Sequence, residues 1–169
     1  QIIYPFGFEP TLHRYRFNTL DKLKMGQNIF VGAMADLFGD WVPDSWIDEV
    51  FRCCAAHDQH NYLFLTKNPE RYADLEDLPA GENMFYGVTI TTEEEMHRFN
   101  FLPARRNVFV SIEPILEDVL PEKHNLLFRQ TDWIIIGAET GRRKWKVIPD
   151  PEWIRKIVAV AEQEKTPVF

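Results

Sequence analysis

Only two cysteines occur in this chain, Cys53 and Cys54, and they are adjacent. They fall in a stretch of helical patterning, where neighbouring side chains point about 100° apart. Such a pair makes neither a metal site nor an ordinary disulfide. Long apolar runs are missing too: none approaches the roughly 20 residues that a membrane helix needs. No signal-peptide pattern opens the chain, so no membrane contact is expected and the cytoplasm is the expected compartment. Glycine is sparse, at eight residues, and never forms the G-x-G-x-x-G turn of a dinucleotide-binding fold. Zinc-type histidine spacing is absent, as is the nucleophile elbow of a serine triad. His13, His57, His60, His97 and His124 all lie away from strand ends, with His57 and His60 expected as a surface pair. An excess of basic charge is also lacking. The net charge is −7 with a pI near 5.2, which argues against non-specific binding to nucleic acid.

Apolar residues make up 45% of 169, with thirteen Phe and five Trp. That is enough to bury one substantial core. Six short apolar runs organise it: Ile29–Met34, Tyr62–Leu65, Phe85–Val88 (within an expected strand Phe85–Ile90), Val108–Ile112, Trp133–Ala138 and a last one near 166–169. Runs of this length, separated by helix-length segments, read as buried parallel strands in βα units. Five of them stop on polar residues: Asp36, Thr66-Lys67, Thr89, Glu113 and Glu139. The predicted helices are a short one at Leu20–Lys24, one capped by Asp44, one opening at Asn68-Pro69, one with a Thr92/Glu95 capping box, and Pro151–Glu164. The expected fold is α/β, a single domain over 1–169 whose parallel (βα) repeats form a partial TIM-like barrel. With Gln1 at the start and Lys165–Phe169 reading as a strand, a fragment truncated at both ends is expected.

Ligands of such folds lie outside the carboxyl ends of the strands. Alternation along a strand puts Ser111 and Glu113 on one face, looking inward, with Val110 and Ile112 packed against helices. Glu113 is either a base or cation-binding group, or an inward carboxylate paired with a nearby cation. Glu139 holds the same kind of position after Gly137, where a ligand or backbone can approach closely. Thr140-Gly141 then makes a turn that either holds an anion or simply links strand to helix. Lys67 is a Schiff-base or phosphate-binding candidate, or else pairs with Glu113 or Glu139 across the mouth. Asp36 caps a turn or joins the site, and Thr66, Thr89 and Thr91 offer hydroxyls that often bond local backbone. The run Arg142–Lys146, with Trp145 inside it, is a phosphate or nucleic-acid grip or a solvated loop.

Several segments, in order, resemble one family: Phe6–His13 (FGFEPTLH), Ile29–Pro43 (IFVGAMADLFGDWVP), Phe64–Tyr72 (FLTKNPERY), Tyr86–Thr89 (YGVT), Phe109–Leu116 (FVSIEPIL) and Trp133–Gly141 (WIIIGAETG). Together they are similar to the phage gene-product 37/68 family, the three-Cys-motif phage proteins, themselves similar to radical-SAM enzymes. The resemblance implies an N-terminal cysteine motif holding a [4Fe–4S] cluster whose open iron binds S-adenosylmethionine, and a possible partner protein from the same phage locus. Those cysteines are missing here, so this chain is expected not to assemble the cluster and to be inactive alone. Either the motif was lost from this chain or this member never carried it. Under the resemblance Thr89, Ser111 and Glu113, with Gly137 and Thr140, contact the cofactor, while Glu139 and Lys67 face the substrate. Two other readings stand beside it. One is a cofactor-free lyase or aldolase using Lys67 with Glu113, and the other a nucleic-acid-associated phage protein using Arg142–Lys146.

Overall fold

The computed structural model describes residues 7, 9–24, 26–75, 77–104 and 107–169. Five parallel strands form one sheet: β1 (Asn28–Val31), β2 (Asn61–Thr66), β3 (Met84–Ile90), β4 (Asn107–Ile112) and β5 (Trp133–Ile136). Their order in the sheet is their order in the chain. Parallel crossovers are right-handed almost without exception, so strands laid down consecutively receive every crossover on the same face. Between them run the helices α1 (Asp44–Ala55), α2 (Arg71–Asp74), α3 (Asn125–Arg129) and α4 (Pro151–Glu164), with 3-10 turns at Arg14–Lys22, Glu94–Phe101 and Pro121–Lys123. This mixed α/β order matches the expected repeats and is compatible with a partial TIM-like barrel.

The covered face is mainly apolar, with the buried Thr66 as a polar exception at the end of β2. Tyr62, Phe64, Met84 and Tyr86 join Ile47, Val50 and Phe51 of α1 in one buried cluster. Val88, Ile90, Val110, Ile112 and Ile134 join Ile157 and Ala161 of α4 in a second. Val110 and Ile112 therefore pack against helices, as strand alternation predicts.

On the opposite face the register builds layers along the strand direction. Phe30, Leu63 and Phe85 lie side by side, followed by Leu65, Gly87, Phe109 and Trp133, then by Thr89, Ser111 and Ile135. An apolar floor thus rises to a row of hydroxyls. Phe109 is fully buried because its ring stacks on Trp133, with centroids 5.0 Å apart and planes at 10°. The same ring roofs Gly87, where a Cβ would stand 2.4 Å from Phe109 Cζ.

Several predicted boundaries move. β1 ends at Val31, not Met34, because Gly32 turns the chain with φ +71°. β5 ends at Ile136 rather than Ala138. Pro43 is the N-cap of α1, which makes Asp44 its first residue. The short helix expected at Leu20–Lys24 is a 3-10 turn that begins earlier, at Arg14. Pro69 lies ahead of α2, which starts at Arg71. Thr92 does not cap. Instead Glu95 reaches back to the N–H and hydroxyl of Thr91, at 2.7 and 2.8 Å. Burial alone would raise the Glu95 carboxyl, but these bonds and Arg98 outweigh it and hold it below the usual range. The sixth run appears as a parallel bridge from Val168 to Ile134. α4 matches its predicted span, since Asp150 accepts the Glu152 N–H and Pro151 opens the helix, a favourable N-terminal pairing. His60 is fully buried, its Nδ1 accepting from the Gln27 N–H at 3.1 Å, and is not part of a surface pair.

Gly87→Ala would force a methyl into a ring that Trp133 holds in place. The expected cost is about 1–3 kcal/mol, as for other overpacked cores. It would be read as a lower urea midpoint at unchanged slope, and an unchanged midpoint would mean the Phe109 ring moves aside freely.

Candidate functional site at the strand ends

The carboxyl ends of β2 to β5 bring together most of the polar groups singled out above. Thr89 and Ser111 are neighbours across β3 and β4, each at most 5% exposed. Among the described residues neither side-chain hydroxyl is hydrogen-bonded to another protein group. Both hydroxyls thus face the open side of the sheet with hydrogen-bonding capacity left over, and buried polar groups seldom go without a partner.

Glu113 continues the face of Ser111 into the next layer. Its side chain is exposed and lies against Gly137, where a Cβ would come within 2.6 Å of the carboxylate carbon and of Oε1. Gly137 is therefore close-packed by the protein's own carboxylate, which gives a physical reason for glycine there. No described cation pairs with Glu113, and Lys67 pairs with neither glutamate. The pairing expected across the mouth is not formed. Lys67 is exposed, and its backbone N–H donates to Asp36 Oδ2 at 2.9 Å.

Glu139 is engaged elsewhere. Arg143 Nε donates to its Oε1 at 2.6 Å and Arg143 Nη2 to its Oε2 at 2.7 Å, and the Val147 N–H reaches Oε2 at 3.1 Å. A two-pronged guanidinium contact of this kind is among the stronger charge-assisted pairs. Glu139 thus holds its own loop closed instead of opening towards a substrate. Thr140 is exposed beside it.

Asp36 proves to be a tie. Its carboxylate accepts from Thr66 Oγ1, from the Lys67 N–H and from the Phe38 N–H, fastening the loop after β1 onto the end of β2. Asn68 strengthens the tie by donating to the Phe38 carbonyl and to Asp40. Farther round, Leu116 N–H donates to Thr91 O, Glu93 N–H to Glu117 Oε1, and Ile115 N–H to Gly137 O. Of these lacing residues, Glu93 and Glu117 were not singled out from the sequence. Glu117, four residues past Glu113, carries no local pattern that points to its partner, whereas the spacing of Glu139 and Arg143 is a weak clue that a loop assignment hides.

A cavity of about 580 Å³ lies beside β1, walled mainly by apolar groups such as Leu12, Phe17, Ile29 and Trp46. Of the strand-end groups named above only Asp36 lines it, and that carboxylate is already bonded. Its walls suit apolar contact, while the acid and hydroxyl groups that can do chemistry sit on the open face of the sheet.

The fit of an iron–sulfur cluster is decided by the donors. Such clusters are held by cysteine thiolates, and this chain has only the adjacent Cys53 and Cys54 of α1. Burial pushes the Cys54 thiol up to about 12, and burial with Asp21 and Glu49 raises Cys53. No group of three or more His, Cys, Asp or Glu among the described residues is placed to hold a metal ion. The cysteines present do not fit the cluster. No helix of the described residues is long and apolar enough to cross a membrane.

Two outcomes follow from this geometry. In the native protein at pH 8, Ellman's reagent should label Cys53 slowly and Cys54 only on unfolding, because little of either thiol is thiolate. Rapid labelling of both would contradict the burial described. Glu139→Ala should speed tryptic cleavage within 142–146 several-fold by releasing Arg143, and an unchanged cleavage rate would show that the clamp does not hold the loop.

No curated protein and no solved structure matches the chain. A family model does match, over residues 5–169, and its description is "Protein of unknown function (DUF5131)". The match covers nearly the whole chain, which thus belongs to the DUF5131 family.

Proposed function

We propose that the open strand-end face binds S-adenosylmethionine, and that the chain is the barrel core of a radical-SAM-like enzyme related to the phage proteins its motifs resemble. The observation that carries this reading is the convergence of those motifs. The segments FLTKNPERY, YGVT, FVSIEPIL and WIIIGAETG contribute Lys67, Thr89, Ser111, Glu113 and Gly137 to consecutive strand ends. Glu113 would accept the cofactor's ammonium group, and the Thr89 and Ser111 hydroxyls would serve its ribose or carboxylate. The aromatic floor of Phe109 and Trp133 would seat the apolar part below them. Thiolates for a cluster are not supplied by this chain, so the reading assigns it binding and orientation and no radical step.

A second reading rests on Lys67, which is exposed and free of both glutamates. A cofactor-free lyase or aldolase would form a Schiff base there, although such lysines are usually desolvated. Borohydride with a carbonyl substrate would trap that adduct at Lys67.

Calorimetric titration of the chain with S-adenosylmethionine tests the first reading. Glu113→Gln should weaken binding by about tenfold or more, as expected when a hydrogen bond to a charged group is lost, with an unchanged circular dichroism spectrum. Equal affinity in the variant would remove Glu113 from the site, and no binding by the unaltered chain would end the reading.

A further inference from the structure

The loop from Gly137 to the start of α4 leaves the sheet at the mouth, beside Glu113. Between residues 139 and 148 it carries Arg142, Arg143, Lys144 and Lys146 against a single acid, Glu139, in a chain whose net charge is −7. Positive charge is therefore concentrated where the rest of the molecule is acidic. Arg143 is spent on Glu139, and that clamp together with the Val147 N–H bond fixes the loop at both ends. Arg142, Lys144 and Lys146 remain exposed, and none is ion-paired with a described carboxylate.

The fixed loop also displays an indole. Trp145 is 81% exposed, an unusual position for so large an apolar ring, and the Lys144 ammonium sits 5.2 Å from its centroid. Cations interleaved with an exposed aromatic are how single strands are held without sequence preference: phosphates meet the cations and a base stacks on the ring. An acidic peptide would satisfy the cations but leave the ring face without a planar partner. The overall acidity argues against binding nucleic acid over the surface at large, and it confines any such contact to this local cluster of cations.

We propose that the Arg142–Lys146 loop grips a single-stranded nucleic acid, with phosphates on Arg142, Lys144 and Lys146 and a base stacked on Trp145. The group presented to the mouth is then a nucleotide within a strand. This deepens the reading given above by naming its substrate class, and rests on that reading only for the chemistry at the mouth.

Fluorescence anisotropy of a labelled single strand of about 20 nucleotides, titrated with the chain and no cofactor, tests the loop. Three phosphate contacts, each contributing a slope near −0.7 for single strands, should weaken binding on the order of tenfold to twentyfold between about 50 and 200 mM salt. Trp145→Ala should cost about tenfold, Trp145→Phe much less, and Lys144→Glu with Lys146→Glu should abolish binding. No binding, an unaffected Trp145→Ala variant, or equal competition by polyphosphate or a poly-glutamate peptide would overturn the proposal, the last because it would show a charge contact without a base. S-adenosylmethionine is titrated separately, so its failure to bind overturns the mouth reading while leaving the strand-binding result to judge the loop.

Discussion

Every strand of this sheet is added at the same side of the last, and every crossover must then return over the same face. That constraint divides the molecule. One face receives all the helices and both buried clusters, while the other has to be stabilised by its own side chains. It manages this through Phe109, whose ring lies between Trp133 and the bare backbone of Gly87. A side chain on Gly87 would lift the ring, and the aromatic floor beneath the hydroxyl row would lose its level. The chemistry-bearing layer thus depends on an apolar contact one layer down, made by residues with no chemical role of their own.

The polar groups of the mouth fall into two kinds. Asp36, Thr66, Asn68, Glu95 and Glu139 are fully occupied with backbone or ion-pair partners. Thr89, Ser111, Glu113 and Lys67 keep side-chain capacity unspent. A buried or close-packed polar group left without a partner is costly unless a ligand or water supplies one. Within the second set only Thr89 and Ser111 are buried residues, so their hydroxyls mark where a ligand can gain most, while Glu113 and Lys67 are exposed beside them.

The strands were legible because a buried parallel strand is an unbroken apolar run, which leaves little ambiguity in VFVSI or WIII. Strand parity was legible for the same reason, so Ser111 and Glu113 fall on the open face as alternation requires. Ends were harder. Nothing in IFVGAM marks the backbone twist at Gly32 that stops β1 early, and Thr92 and Thr91 offer Glu95 the same hydroxyl one residue apart. Partner choice was hardest: Glu139 could be read as facing a substrate because its true partner, Arg143, lies in a loop with no helical period. Likewise Lys67 has two glutamates within sequence reach of the mouth, and only the direction of each side chain shows that it joins neither.

The loops above the sheet are laced to one another as well as to their own strands. Thr91 holds Leu116, Glu117 holds Glu93, and Gly137 holds Ile115, so the rim from β3 to β5 is one continuous strip and not a set of separate fingers. A load placed on Glu113 is shared at once by the backbone on both sides. Stiffness of this kind favours a ligand that fits the rim as built, and it would pass any distortion at one strand end along to the neighbouring strand ends before it reached the helices.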